Sequence, residues 1–164
     1  DARKERKSIQ LTHREMAEAN FKEGYNCSQA VFAAFSEEVG LPRQTALQLA
    51  SGFGGGVGRM REVCGAFSGA VMALGALYGS DDPAHKTAVY TMVQELAAKF
   101  KAETGSLICR ELLGLDKPEG SPVASPRTET YYKKRPCVEM VGLAADLLEQ
   151  YLAEHPVPQR EANA

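Results

Sequence analysis

From Thr12 to Glu154, apolar residues recur at three- and four-residue spacing, and each run ends at a glycine, a proline or a capping residue. Ala30, Val31, Ala34 and Phe35 form one such stripe. Val89, Met92, Val93, Leu96, Ala97 and Phe100 form a second, and Val138, Val141, Ala144, Ala145, Leu148 and Leu152 a third. A stripe at this period buries one side of a helix. No segment alternates apolar and polar residues with β-branched enrichment, as a strand requires. The pattern predicts an all-α fold, a single-domain compact helical bundle of about six to seven helices. A chain of 164 residues is long enough for one genuine core without disulfide staples. The helical domain is expected over 12–155, between a flexible N-terminal segment, 1–11, and a flexible tail, 156–164.

The punctuation places the helices. Thr12-His13-Arg14-Glu15 reads as a capping box, and Gly24 as the stop of the helix it opens. Asn26 caps a second helix with Cys27 as its first residue and Gln29 third. Gly40 ends it, and Pro42 starts a short third helix reaching Ala50. Five glycines in the seven residues 52–58 exclude a helix interior there. A helix is expected from about Glu62 to Tyr78 with Cys64 in its first turn. It contains Gly65, Gly69 and Gly75, each costing about 1 kcal/mol relative to alanine, so close packing is expected along it. Asp82-Pro83 opens the next helix, to about Glu103. Ser106 caps a short one over Leu107–Leu113 containing Cys109. A loop over 115–135 holds Pro118, Gly120, Pro122 and Pro126, and a loop of that length is often functional. The last helix starts near Pro136, with Cys137 in its first turn.

All four cysteines therefore fall at helix starts: Cys27, Cys64, Cys109 and Cys137. The first turn of a helix presents unpaired N–H groups and a partial positive charge, and both favour a thiolate. If the four starts converge, they make one site suited to metal or redox chemistry. The C-x₂₋₄-C pairs of structural zinc are missing, as is a C-x-x-C redox pair. Three uses stay open: four thiolates around an iron–sulfur cluster, thiol–disulfide exchange between pairs made by the fold, and structural disulfides. The glycine run before Cys64 lacks the G-K-[ST] ending of a phosphate loop, and its expected role is to let backbone approach the Cys64 site.

Other classes are disfavoured. The formal net charge is −2, from 19 basic and 21 acidic residues, which gives no basis for nucleic-acid binding. Arg3–Lys7 and Lys133-Lys134-Arg135 read as a solvated terminus and a solvated loop. His13, His85 and His155 are expected at the surface. No run of 18 apolar residues is present to span a membrane. The N-terminal residues lack a signal-peptide pattern, so the location is read as cytoplasmic, or as exported (periplasmic) after removal of a signal not present in this chain.

The segment Val63-Cys64-Gly65-Ala66-Phe67-Ser68-Gly69-Ala70 resembles the C-G-A-x-x-G signature of the C_GCAxxG_C_C family, which is described as redox-active. Gly24-Tyr25-Asn26-Cys27-Ser28-Gln29-Ala30-Val31 is similar to that family's leading cysteine segment, and Cys109 and Cys137 fit its two trailing cysteines. The resemblance covers about residues 12–152. It implies that the four cysteines act together in redox chemistry. A similar cysteine domain accompanies haem domains in split-Soret-type cytochromes, where an iron–sulfur cluster is the implied partner. This chain lacks C-x-x-C-H, so covalent c-type haem is not expected.

The leading expectation is an electron-transfer protein with Cys27, Cys64, Cys109 and Cys137 as ligands of a [2Fe–2S] cluster and Gly65 letting backbone approach it. It would serve a redox partner protein that the sequence does not name, and the small residues along 65–75 leave room for a homodimer. The rival expectations are a thiol–disulfide oxidoreductase, with Cys27 or Cys64 attacking, and a non-catalytic helical module with structural cysteines.

Overall fold

The computed structural model of the chain describes residues 11–115 and 121–158, without the side chains of Lys133 and Lys134. The basic run Arg3–Lys7 and the middle of the 115–135 loop lie outside the described residues. The fold is all-α. The described residues form nine α-helices, six of them of seven residues or more, and no strand. They are α1 (His13–Lys22), α2 (Cys27–Ala34), α3 (Ser36–Val39), α4 (Arg43–Ala50), α5 (Gly65–Tyr78), α6 (Lys86–Thr104), α7 (Cys109–Leu112), α8 (Glu129–Lys134) and α9 (Cys137–Glu154). No helix among them is long and apolar enough to cross a membrane.

Local chemistry fixes the first two helices as expected. Thr12 accepts from the Glu15 N–H while Glu15 reaches back to Thr12, and Asn26 and Gln29 do the same for α2. The break between α2 and α3 falls at Phe35, and Gly40 then closes α3 in the left-handed conformation. Helices α1, α2, α5 and α9 pack on one another around Phe21, Val31, Phe35, Leu74, Val141 and Leu148, all essentially sealed from water. Helix α6 lies outside this group, buries Leu96 and Phe100, and is tied to α9 by a 2.8 Å hydrogen bond from the Tyr151 hydroxyl to Glu95.

Of the three glycines of α5, Gly65 and Gly69 have the steric cause that their cost demands, and Gly75 does not. A Cβ at Gly69 would stand 2.6 Å from the Ser28 carbonyl oxygen, so that glycine lets α5 lie against α2. A Cβ at Gly75 would meet nothing within 4 Å.

Two expectations are corrected. The helix carrying Cys64 does not begin at Glu62. Residues 62–64 run extended, Val63 makes an isolated antiparallel bridge with Ile108, and α5 starts at Gly65 with Cys64 as its cap. The bridge is fixed by Cys64 N–H to Leu107 O (2.7 Å) and Cys109 N–H to Glu62 O (2.6 Å). These long-range bonds leave no signature in local periodicity.

His13 is the second correction. Its side chain is 15% exposed, stacked on Phe35 at 4.2 Å, and held at 2.6 Å by Glu38 on one ring nitrogen and by Glu149 on the other. Burial works to lower its pKa, but the hydrogen bonds and charges of the two glutamates together win and raise it. The same contact holds Glu38 below its ordinary range. His13 thereby clamps α1 to α3 and α9.

A candidate cysteine redox centre

Cys27, Cys109 and Cys137 are the first residues of α2, α7 and α9, and Cys64 caps α5. The four helix starts point into one cavity of about 70 Å³, which all four cysteines line. Cys64 and Cys109 are buried, Cys27 and Cys137 half-buried, and none is in a disulfide.

Each cysteine is positioned by its own device. Cys27 follows the Asn26 capping box, and Asn26 in turn donates to the Ser51 carbonyl (3.0 Å) while Gln29 donates to that of Leu47 (3.0 Å). Cys64 and Cys109 are drawn together by the Val63–Ile108 bridge. The glycine loop does the rest. A Cβ at Gly56 would stand 2.7 Å from the Cys109 Cβ and 2.6 Å from the Glu62 nitrogen. One at Gly65 would stand 3.0 Å from the Phe53 carbonyl oxygen and 3.3 Å from the Cys27 Cβ. Gly65 thus lets α2 and the glycine loop close on the start of α5.

That loop is wound left-handed. Gly55, Gly56, Val57, Gly58, Arg59 and Arg61 all have φ between +57° and +72°. Valine and arginine in this region cost about 1 kcal/mol or more each. The winding turns the Arg61 side chain inward, where it is 5% exposed and donates to the Cys109 sulfur at 3.7 Å.

The four thiols are electrostatically unequal. Cys27 and Cys137 share a hydrogen bond, and this bond is the main reason that Cys137 is pulled down to about 7. Burial opposes the shift, while the charges of Arg135 and Arg127 and a hydrogen bond with Tyr131 add to it. The same bond, burial and the other three cysteines raise the Cys27 pKa well above its ordinary value. Cys64 goes the other way from Cys137. Burial pushes it up to about 11, although the nearby Phe67 and Ala66 N–H groups at the α5 start act to lower it. Cys109 is also raised by burial, against the Arg61 hydrogen bond and charge. The anion preference of a helix start is present at Cys64, but desolvation is larger. Of the four thiols, Cys137 is the one whose pKa is lowered, so a thiolate is favoured there over Cys27 and Cys64, where an attacking thiol was expected.

Among the described residues, no three His, Cys, Asp or Glu side chains are grouped so as to hold a metal ion. A two-iron cluster makes a different demand, since its four thiolates are divided between two irons. The room also constrains the guest. The cavity has several times the 10–15 Å³ that one water needs, roughly, and falls well short of the ~300 Å³ of an organic ligand pocket. A compact inorganic group fits that space and this donor set, with buried Arg61 to offset thiolate charge.

Four contributors were not singled out from the sequence: Arg61, Arg127, Tyr131 and Arg135. Arg61 sends no sequence signal, because its burial follows from the loop's handedness. The other three come from the proline-rich segment, where Thr128 caps α8 by accepting from the Tyr131 N–H. Thr128 after the last proline was the readable sign. Arg135, read as part of a solvated run, is half-buried beside the cavity.

A family model described as "Putative redox-active protein (C_GCAxxG_C_C)" matches residues 25–151, which span all four cysteines. No curated protein matches the chain, and no solved structure does.

Proposed function

This chain belongs to the C_GCAxxG_C_C family, and from that premise we propose that it is an electron-transfer protein whose four cysteines hold a [2Fe–2S] cluster. The observation that carries the reading is the single small cavity that Cys27, Cys64, Cys109 and Cys137 line together. Bound there, the cluster would supply one-electron redox chemistry. The chain's own residues would set its environment. Apolar side chains, Leu112 and Met140 among them, line the cavity beside the sulfurs. Arg61 places a positive charge at Cys109, and the Ala66 and Phe67 N–H groups act on the Cys64 sulfur. Positive charge and hydrogen bonds to cluster sulfurs raise a reduction potential. Anaerobic purification with iron and sulfide analysis and a visible spectrum tests the reading. Stoichiometric iron and sulfide with a visible chromophore is the expected result. A colourless, iron-free protein with four titratable thiols overturns it.

The hydrogen-bonded Cys27–Cys137 pair favours a second reading, a thiol–disulfide oxidoreductase. The Cys137 thiolate would attack a substrate disulfide, forming a mixed disulfide and expelling one substrate thiolate. Cys27 would then lose its proton and attack the Cys137 sulfur, releasing the second substrate thiolate and leaving a Cys27–Cys137 disulfide. The substrate gains the two electrons that the pair loses. Alkylation rates against pH test this reading, with Cys137 expected to react through a thiolate formed near pH 7.

A further inference from the structure

A second recess opens directly beside the cysteine cavity. It has a volume of about 360 Å³ and shares Asn26, Gly55, Arg61, Arg127 and Tyr131 with that cavity. Four arginines line it, Arg59, Arg61, Arg127 and Arg135, and no carboxylate among the described residues does. Its size is that of a small-molecule pocket, not of a flat protein interface.

Two of the arginines carry the argument. The Arg127 guanidinium is anchored by hydrogen bonds to the Phe21 and Tyr25 carbonyls (3.0 and 2.9 Å) and lies over the Phe21 and Tyr131 rings at 4.0 and 5.0 Å. It makes no ion pair among the described residues and lines both the recess and the cysteine cavity. Arg135 stands over the Tyr131 ring at 5.6 Å. A guanidinium stacked on a ring keeps its planar fork of donors at the edge, ready for two parallel bonds to an oxyanion. Two held positive charges in a walled recess also concentrate anions at its mouth.

We propose that this recess binds a small molecule through a carboxylate or related oxyanion group, held by Arg135 and Arg127, and presents it to the cysteine cavity. The inference rests on the proposed redox reading only in treating that molecule as a reactant. Binding is measured without electron transfer, so an iron-free protein that still binds anions sinks that reading and spares this one.

The test is calorimetric titration of the full chain with succinate, with sulfate, and with uncharged succinamide at matched ionic strength, followed by R135Q and R135K. Succinate binding well above succinamide is expected. It should weaken at least fivefold in R135Q and less in R135K, and it should fall as salt is raised. Sulfate binding as well as succinate points to an inorganic oxyanion, and succinate alone to an organic acid. Either result supports the site. Equal binding of succinate and succinamide, unchanged affinity in R135Q, or no anion binding up to 20 mM overturns it. The last result would also be expected of a surface for an acidic protein. If R135Q fails to fold, the wild-type contrast and R135K still decide.

Discussion

The helical bundle and the cysteine pole are built on opposite principles. In the bundle formed by α1, α2, α5 and α9, backbone groups are satisfied within regular helices, and the chemistry lies in apolar packing around Leu148, Val31 and Phe35. At the pole the chain runs through a left-handed loop, one isolated bridge and short helices, and it spends strain at Val57, Arg59 and Arg61 to place charge beside sulfur. The difference teaches where stability and function reside. The bundle holds four helix starts in register, and the pole, which is locally costly, shapes what they enclose.

The sharpest separation should come from Leu148→Ala. Leu148 is fully buried in the bundle, and its truncation is expected to cost about 2–5 kcal/mol in urea unfolding. The alkylation rate of Cys137 in the still-folded protein should not change. A matching rise in that rate would show that bundle and pole are one cooperative unit, which would break the comparison.

Gly56→Ala attacks the pole. Its φ of +72° already disfavours a side chain, and the new Cβ would meet the Glu62 nitrogen and the Cys109 Cβ. A loss of roughly 2–3 kcal/mol is expected, from the left-handed penalty plus the clash. Cys109 should also become more accessible to alkylation. Gly58→Ala is the control, with a left-handed φ of +57° and no atom within 4 Å of the added carbon. It should cost only about 1 kcal/mol and leave Cys109 protected. Equal exposure of Cys109 in both variants would mean that the loop's winding, and not the Gly56 contact, shapes the cavity.

Within the bundle, the His13 clamp predicts a pH signature that the pole lacks. His13 is held above its ordinary value of 6.5, so its share of stability is complete below about pH 6.5 and disappears as pH rises through its raised value. Glu38 is held below its ordinary 4.5, so its share is complete above about pH 4.5 and is lost as pH falls through its lowered value. The two overlap between about pH 4.5 and 6.5. Glu38 and Glu149 are 35% and 41% exposed, so solvent screening limits the effect to about 1 kcal/mol. The urea midpoint of His13→Gln should trail the parent most near pH 5.5 and approach it as pH rises through the raised His13 value. A constant gap across that range would assign His13 to packing on Phe35 alone.

Sequence legibility divides along the same line. The bundle could be read because its determinants are local: Thr12 with Glu15, Asn26 with Gln29, and the apolar stripes of α2, α6 and α9 are each contained within one helix. The cysteines could be read as helix starts for the same reason, and the C-G-A-x-x-G segment pointed to the family. Their convergence needed the fold. So did the extended Glu62–Cys64 segment, whose partners lie more than forty residues away, and the ranking of the four thiols, which depends on burial and on Arg61, Tyr131 and Arg135. His13 was misread because both of its carboxylate partners belong to other helices.

The smallest expected effect is a gain. Val57 is a β-branched residue at φ +65° in the glycine loop, the least suitable side-chain class for that conformation. Val57→Gly removes a strain of about 1–2 kcal/mol and adds unfolded-chain entropy worth about 0.5–1 kcal/mol. The half-exposed side chain has little packing to lose. A net stabilisation of about 0.5 kcal/mol is expected, a rise in Tm of about 1–2 °C for a chain of this size. A fall in Tm, with the Cys137 alkylation rate raised, would show that Val57 holds the loop in its left-handed winding, so that the pole's departure from regular backbone is fixed by side-chain contact and not merely tolerated.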